Sequence, residues 1–298
     1  MTSGRFHAGE LRVQERAGVR DLAERGARGL RDAMPEQHRE LFEKLPYLVI
    51  GAALEGRPWA SFVFGMPGFV HTPDARTITI GALPLAGDPI RAALVAGAHA
   101  GVLGIELATR RRNRANGVVR SRDARGFVLD VEESFGNCPQ YIQARAPLGA
   151  VERPPVVVRP ERGVLSPRAH ALVANADTLF LASASASGRV DVSHRGGKPG
   201  FVRVDGAVLT LPDFAGNNFF MTLGNLEQSP RAGIALVDFT TGALLSLTGT
   251  TETIWDGPEL ASFEGAHRLV RITVEEGALL ENAVPFVWTE AEPARQLR

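Results

Sequence analysis

An internal repeat constrains this chain more than any other feature of its sequence. The tetrapeptide PGFV occurs at residues 67–70 and again at 199–202, a displacement of 132. The other matching pairs, at displacements of 131 or 132, are 48–51 with 179–182, 101–107 with 233–239, and Asn116-Gly117 with Thr248-Gly249. Segments that recur in the same order at a nearly constant spacing indicate an ancestral duplication. We therefore expect two copies of one architecture.

Each copy is expected to be mainly β with flanking helices, an α+β fold. Short apolar or alternating runs bounded by Gly, Pro or Asp predict strands at 47–54, 77–80, 127–131, 178–182, 208–211 and 243–247. Their spacing is typical of a small antiparallel barrel. Capping side chains before proline predict helices at 90–98, 140–145 and 168–176, and a further helix is expected at 219–226.

The same patterns divide the chain into four parts. Residues 1–45 are expected to be a helical segment, with one or two amphipathic helices within 8–45, the second beginning near Pro35. Residues 46–146 form the N-terminal repeat and 163–298 the C-terminal repeat. Residues 147–162 are expected to be a linker without regular structure, because they contain four prolines.

Composition excludes several classes of function. The formal net charge is zero, so no global field favours nucleic acid or an anionic membrane. The single cysteine excludes internal disulfides and cysteine-rich metal sites, and the histidine spacing predicts no metal site. No secretory leader, membrane span, dinucleotide fingerprint or P-loop is present. We expect a cytoplasmic protein, and its arginine-rich, lysine-poor composition is typical of a GC-rich bacterium.

A longer set of motifs resembles a known family. The segment 191–202 reads DVSHRGGKPGFV and is followed by LPDFAGNN at 211–218, TLGNL at 222–226 and PRAG at 230–233. This series resembles the FMN-binding signature of pyridoxamine 5'-phosphate oxidase-like proteins. Residues 110–117 and 134–143 are similar to segments of two-repeat members of that superfamily. The resemblance spans roughly residues 40–290 and implies two tandem FMN-binding split β-barrels, arranged as a monomeric pseudo-dimer or as a homodimer.

The resemblance and the chemistry of FMN together suggest a candidate cofactor site. A phosphate binds cations, hydroxyls and backbone N–H groups, ideally at a helix N-terminus. The candidates in the C-terminal repeat are Ser193, His194, Arg195, Gly196, Lys198, Gly200, Phe201, Val202, Asn217, Asn218, Thr222 and Asn225. Where single-domain relatives often have basic residues after the Gly-Asn pair, this chain has Phe219-Phe220, so the phosphate ligands themselves stay undefined.

The N-terminal repeat lacks the corresponding polar site residues, and the sequence therefore predicts one flavin per chain. Phe62-Val63-Phe64 is placed opposite Ser193-His194-Arg195, and Gly87-Asp88-Pro89 opposite the Gly-Asn-Asn turn. An aspartate there would repel phosphate.

The N-terminal repeat instead carries a basic strand that the C-terminal repeat lacks. Residues 111–117 correspond to the uncharged stretch 243–249. We therefore expect Arg111, Arg112 and Arg114 to supply cations to the flavin site of the other repeat, and alternation predicts that Arg112 and Arg114 share one face. The competing interpretations are a solvated arginine run, a polar turn residue at His194 and a buried, unreactive Cys138.

Two functional hypotheses follow. The first is an FMN-dependent oxidoreductase that passes hydride or electrons from NAD(P)H or a redox protein to a small organic substrate. The substrate-phosphate motif of pyridoxamine phosphate oxidase itself is not found in 268–298, so that reaction is not expected. The second is a non-catalytic split barrel that holds flavin or haem for a separate redox partner. No catalytic residue is identified by the sequence.

Overall fold

The computed structural model describes residues 5–297; residues 1–4 and 298, the outer ends of the first and last predicted parts, lie outside the described residues. The first sheet contains β1 (Tyr47–Leu54), β2 (Arg57–Phe64), β3 (Val70–Asp74), β4 (Thr77–Ile80), β5 (His99–Glu106), β6 (Arg111–Arg122) and β7 (Phe127–Gly136). These seven strands are antiparallel, in the spatial order β2-β1-β5-β6-β7-β4-β3.

The second sheet has eight strands. It contains β9 (Val157–Arg162), β10 (Thr178–Ala184), β11 (Val190–Gly196), β12 (Arg203–Asp205), β13 (Val208–Asp213), β14 (Arg231–Val237), β15 (Leu244–Ile254) and β16 (Arg268–Glu281). Its main order is β11-β10-β14-β15-β16-β13-β12, and β9 pairs with β16 outside that path. Two short strands, β8 (Pro147–Ala150) and β17 (Phe286–Trp288), form a separate pair.

The two sheets share one topology and one register. In the first sheet Val49 lies opposite Leu103. In the second sheet Phe180, 131 positions after Val49, lies opposite Ala235, 132 positions after Leu103. Both sheets also have a register shift at the same place, before Gly117 and before Gly249. At each of these glycines a Cβ would collide with a carbonyl of the neighbouring strand, so the bulge requires glycine. The predicted fold class, mainly β with flanking helices, is confirmed.

The register corrects one detail of the repeat alignment. Val49 pairs with Phe62, and the equivalent Phe180 pairs with His194. His194 therefore corresponds to Phe62 and Ser193 to Ser61, so the alignment of Phe62 with Ser193 is wrong by one residue. The displacement rises from 131 to 132 because the turn between β10 and β11 is one residue longer.

Three local predictions were also wrong. The helix expected at 90–98 is a short 3-10 turn, Pro89–Ala92, although Asp88 caps it as predicted. Residues 140–145 form no helix, and Tyr141 has a left-handed backbone (φ 65°) that interrupts one. The proline-rich segment contains β8 and β9; Pro160 is tolerated because β9 pairs on one side only.

The helices are α1 (Ala8–Arg16), α2 (Arg20–Gly26), α3 (Glu36–Lys44), α4 (Pro167–Ala174) and α5 (Met221–Gln228). Although α1 precedes the N-terminal repeat, it packs on α5 of the C-terminal repeat. Gly9 and Gly224 allow this approach, because a Cβ on Gly9 would collide with the carbonyl oxygen of Gly224. The N-terminal segment is thereby attached to the repeat that contains the candidate signature.

The core lies in three main places. One apolar cluster fills each sheet, and a third contains residues of both repeats, among them Phe62, Phe180 and Leu244. This shared cluster joins the two repeats along β1, β2, β10 and β11. Within residues 5–297, no helix is long and apolar enough to cross a membrane.

Candidate functional site

A cleft opens between the two repeats and encloses about 850 Å³ of space, its mouth included. The N-terminal repeat contributes Arg112 and Arg114 of β6 and the segment 137–141. The C-terminal repeat contributes residues 193–196 of β11 and the segment 212–223, which contains the first turn of α5. Both repeats are therefore needed to form one site.

Gly196 lets the two walls meet at the end of β11. A Cβ at this position would collide with the carbonyl oxygen of Tyr141. Tyr141 in turn stacks on Phe214, with ring centroids 4.9 Å apart and planes inclined by 26°. The two rings give the cleft an apolar surface formed by both repeats.

Arg112 reaches across the cleft to His194. Its Nη1 donates to His194 Nδ1 at 2.8 Å, and its Nη2 donates to the Cys138 carbonyl at 2.6 Å. Within residues 5–297 Arg112 makes no ion pair with a carboxylate. Burial, and next to it repulsion from Arg114, lowers the pKa of Arg112 to about 9, so it remains charged at neutral pH.

The other two arginines of the cleft each pair with a carboxylate. Arg114 Nη1 donates to Asp191 Oδ2 at 2.8 Å in a buried pair that joins the repeats. Arg195 pairs with Asp213, which also accepts from Arg268 Nε at 2.9 Å. Asp213 therefore serves two guanidiniums, and Arg112 is the arginine of the described cleft that pairs with no carboxylate.

The predicted alternation along β6 holds. Arg112 and Arg114 face the C-terminal repeat, whereas Arg111 donates to the Gln37 carbonyl of α3 on the other side. Arg114 is only 8% exposed, so the interpretation of the run as a solvated surface does not hold there. His194 is 5% exposed and lies within a strand, not in a polar turn.

Five buried donors of the cleft residues lack a hydrogen-bond partner among the described residues. They are Nε of Arg112, Arg114 and Arg195, His194 Nε2 and Asn137 Nδ2. An unpaired buried donor typically costs about 1–3 kcal/mol. The first turn of α5 adds backbone N–H groups that have no acceptor within the helix. The cleft is therefore suited to a ligand that is rich in acceptors or negatively charged.

The loop before α5 brings two predicted asparagines to the cleft. Asn217 Oδ1 accepts from the N–H of Phe219 at 3.2 Å, and its Nδ2 donates to Asn137 of the other repeat at 3.3 Å. Asn218 has a left-handed backbone (φ 62°) that turns the chain toward the helix. Thr222, in the first turn, shares a hydrogen bond of 3.1 Å with Ser193.

Six predicted site residues do not line the cleft. Lys198 and Gly200 lie exposed on the turn after β11, and Phe201 and Val202 belong to the core of the C-terminal repeat. Asn225 donates to Ser183 Oγ at 3.0 Å and contacts His7, and Arg111 lies against α3. From Gly197 onward the chain leaves the cleft wall, and the sequence motif alone does not show where this change of direction occurs.

Sequence reasoning missed three contributors to the site. Tyr141 and Phe214 form the stacked pair, and Asp213 neutralises Arg195. Asp213 and Phe214 lie within the quoted motif LPDFAGNN, and Tyr141 within the quoted segment 134–143, which could have drawn attention to them, but the motifs do not show which of their residues meet.

The equivalent place, where β2 of the N-terminal repeat faces β15 of the C-terminal repeat, is filled by apolar side chains. Leu244 and Phe62, displaced by 132 from Arg112 and His194, belong to the apolar cluster shared by the repeats. Ser61, equivalent to Ser193, donates to the buried Asp88, and burial raises the pKa of Asp88 to about 6. Leu244 and Phe62 thus form an apolar pair at the positions equivalent to the polar pair Arg112 and His194. No group of three or more His, Cys, Asp or Glu side chains within the described chain is placed to hold a metal ion.

Comparison with known proteins finds one family profile that matches part of the chain. The family profile described as pyridoxamine 5'-phosphate oxidase matches residues 165–295. No curated protein gives a significant match.

Several solved structures also match. HupZ of Group A Streptococcus is 16% identical over 41% of this chain and 98% of its own, with a TM-score of 0.33. A protein related to general stress protein 26 from Clostridium acetobutylicum is 14% identical over 41% of this chain and 92% of its own, with a TM-score of 0.31. A heme binding protein from Mycobacterium smegmatis is 23% identical over 41% of this chain and 55% of its own, with a TM-score of 0.29. The family match thus falls on the C-terminal repeat: residues 165–295 are similar to the pyridoxamine 5'-phosphate oxidase family.

Proposed function

We propose that the protein binds one FMN in the cleft between its repeats and acts as an oxidoreductase on a small organic substrate. The observation that carries this proposal is the set of unpartnered donors around the uncompensated charge of Arg112. FMN offers matching groups: an acceptor-rich ring edge, a hydroxylated chain and a phosphate. Because the cleft uses both repeats, we expect the functional unit to be a monomeric pseudo-dimer.

The residues of the cleft fit the parts of FMN in a definite way. Arg112 and His194 would face the acceptor-rich edge of the ring, and the Tyr141–Phe214 stack offers it an apolar surface. The first turn of α5, with Thr222, would face the phosphate. Phe219-Phe220 supplies no cation there, so the helix N-terminus would replace basic side chains in this role.

Bound FMN supplies the hydride or electron transfer, and the chain supplies orientation and charge. Arg112 would stabilise negative charge that develops on the ring upon reduction. Burial and Arg112 hold the pKa of His194 well below its ordinary value, so the ring would serve as a neutral hydrogen-bonding group. The electron donor would be NAD(P)H or a separate redox protein.

The absorption spectrum of the purified protein tests the proposal. We expect a flavin spectrum, release of FMN rather than FAD on denaturation, and binding of added FMN at micromolar concentration. A protein that is colourless and does not bind added FMN would contradict the cofactor assignment. Anaerobic addition of NADH or NADPH should then bleach the visible flavin band.

A non-catalytic module is the second candidate, because His194, 5% exposed and hydrogen-bonded to Arg112, is suited to holding a ligand. Such a module would hold flavin or haem for a separate redox partner. Flavin that neither nicotinamide reduces, but that a reductase does, would support the module. An absorption spectrum of haem in the purified protein would show that the bound cofactor is haem and not FMN.

A further inference from the structure

His194 has two ring nitrogens with different surroundings. Nδ1 is 2.8 Å from Arg112 Nη1, and a guanidinium can only donate, so Nδ1 must be the acceptor. In a neutral imidazole the other nitrogen, Nε2, then carries the proton. Nε2 is buried and has no hydrogen-bond partner within residues 5–297. The ring therefore presents one unsatisfied N–H in a side chain that lines the cleft.

We infer that Arg112 and His194 form a fixed pair in which Arg112 holds the imidazole as an Nε2–H donor to an acceptor atom of the ligand ring. Arg112 is then a positioning residue as well as a source of charge. The acceptor is a carbonyl oxygen or an unprotonated ring nitrogen. This inference rests on the proposed function for the identity of the ring, but not for the state of His194.

The symmetry-related place between the repeats, formed by β2 and β15, shows that folding does not require the polar pair. At the equivalent positions Leu244 and Phe62 pack in the shared apolar cluster. Phe180 contacts both aromatic rings edge-on, with centroids 5.1 Å from Phe62 and 5.6 Å from His194. One architecture thus accepts either pair, and only the polar pair borders the open cleft.

The charged groups around His194 keep the ring neutral. Burial and the arginines at 112, 195, 114 and 145 all lower the pKa of His194. A protonated ring would also lose the hydrogen bond from Arg112, because Nδ1 would become a donor. The same proton assignment prevents Nε2 from ligating haem iron, since a metal ligand needs a lone pair on that nitrogen.

Nitrogen NMR on the ligand-free protein tests this state without any cofactor. With ¹⁵N-labelled histidine, the signals of His194 are identified by their loss in His194→Phe, the residue found at the equivalent position. We expect a neutral ring protonated on Nε2, unchanged across the neutral pH range. A ring protonated on Nδ1, or one that titrates in that range, would overturn the inference. In Arg112→Leu the tautomer should no longer be fixed.

FMN titration of the same variants tests the donor role. His194→Phe should bind FMN about three- to tenfold more weakly, the usual effect of one lost hydrogen bond, and His194→Gln, which keeps a donor, should recover most of the loss. The Nε2 signal should also shift when FMN is added. Equal affinity of wild type and His194→Phe would refute the donor role. If wild type itself does not bind FMN, the proposed cofactor fails, and the nitrogen signals alone decide the state of the pair.

Discussion

Replacing Arg112 by glutamine is the most direct perturbation of the cleft. The change removes the uncompensated charge and the donor to His194 while it keeps a polar side chain of moderate length. Arg111→Gln is the matched control, because it alters the neighbouring residue of the same strand, whose side chain lies against α3. Both variants lose one positive charge, so the global electrostatics change equally.

The magnitude follows from the partners of each arginine. Hydrogen bonds to a charged group typically contribute about 1.5–3 kcal/mol, which corresponds to roughly ten- to a hundredfold in affinity. Arg112 should show this full effect, since no carboxylate in the described structure compensates its charge. Arg114 is unsuitable as a second binding probe: its loss leaves the buried Asp191 without its arginine, which typically destabilises a protein by about 3–5 kcal/mol.

FMN affinity and flavin midpoint potential are the quantities to measure, by fluorescence titration and by redox titration. For Arg112→Gln we expect weaker FMN binding and a lower potential, because a nearby cation favours the negatively charged reduced flavin. Arg111→Gln should match wild type in both. The reasoning is refuted if Arg112→Gln stays within about threefold of wild type in affinity with an unchanged potential, or if Arg111→Gln shows equal losses.

Four further predictions concern the rest of the molecule. FMN released on denaturation should amount to one per chain, and a ratio near two would show that the N-terminal repeat also binds. Arg195→Ala should weaken FMN binding less than Arg112→Gln does, because Arg195 already pairs with Asp213; an equal or larger loss would contradict this ranking. Gly9→Ala should destabilise the protein by about 1–3 kcal/mol in urea unfolding, since its Cβ collides with α5, whereas Gly29→Ala, with open space around it, should not. Burial raises the pKa of Glu10 to about 8, so the folded state binds the extra proton and stability falls as the pH rises toward that value. Glu10→Gln should therefore gain stability relative to wild type between about pH 6 and pH 8.5; a constant difference would contradict the shift.

Much of the fold is encoded locally and could be predicted. Strands 47–54 and 77–80 have the predicted bounds, because alternation and flanking turn residues define a strand within a few positions. The recurrence of Asn-Gly and Thr-Gly at a displacement of 132 marked the two bulges, where only glycine fits. The helix after Ser166-Pro167 begins at Pro167 with Ser166 as its cap, as its capping chemistry predicts.

The arrangement of charges in the cleft depends on tertiary structure. Arg112 meets His194 across 82 residues, and Arg114 meets Asp191 across 77. Which arginine keeps its charge uncompensated depends on how the two sheets face each other, and no local window contains that information. The sequence determined by itself that two similar repeats exist and that one carries a basic strand, because strand period, turns and glycine bulges are local properties. Only the tertiary structure decided that Arg195 pairs with Asp213, that Lys198 lies away from the cleft and that α1 packs on the C-terminal repeat, because each of these depends on how separate elements pack together.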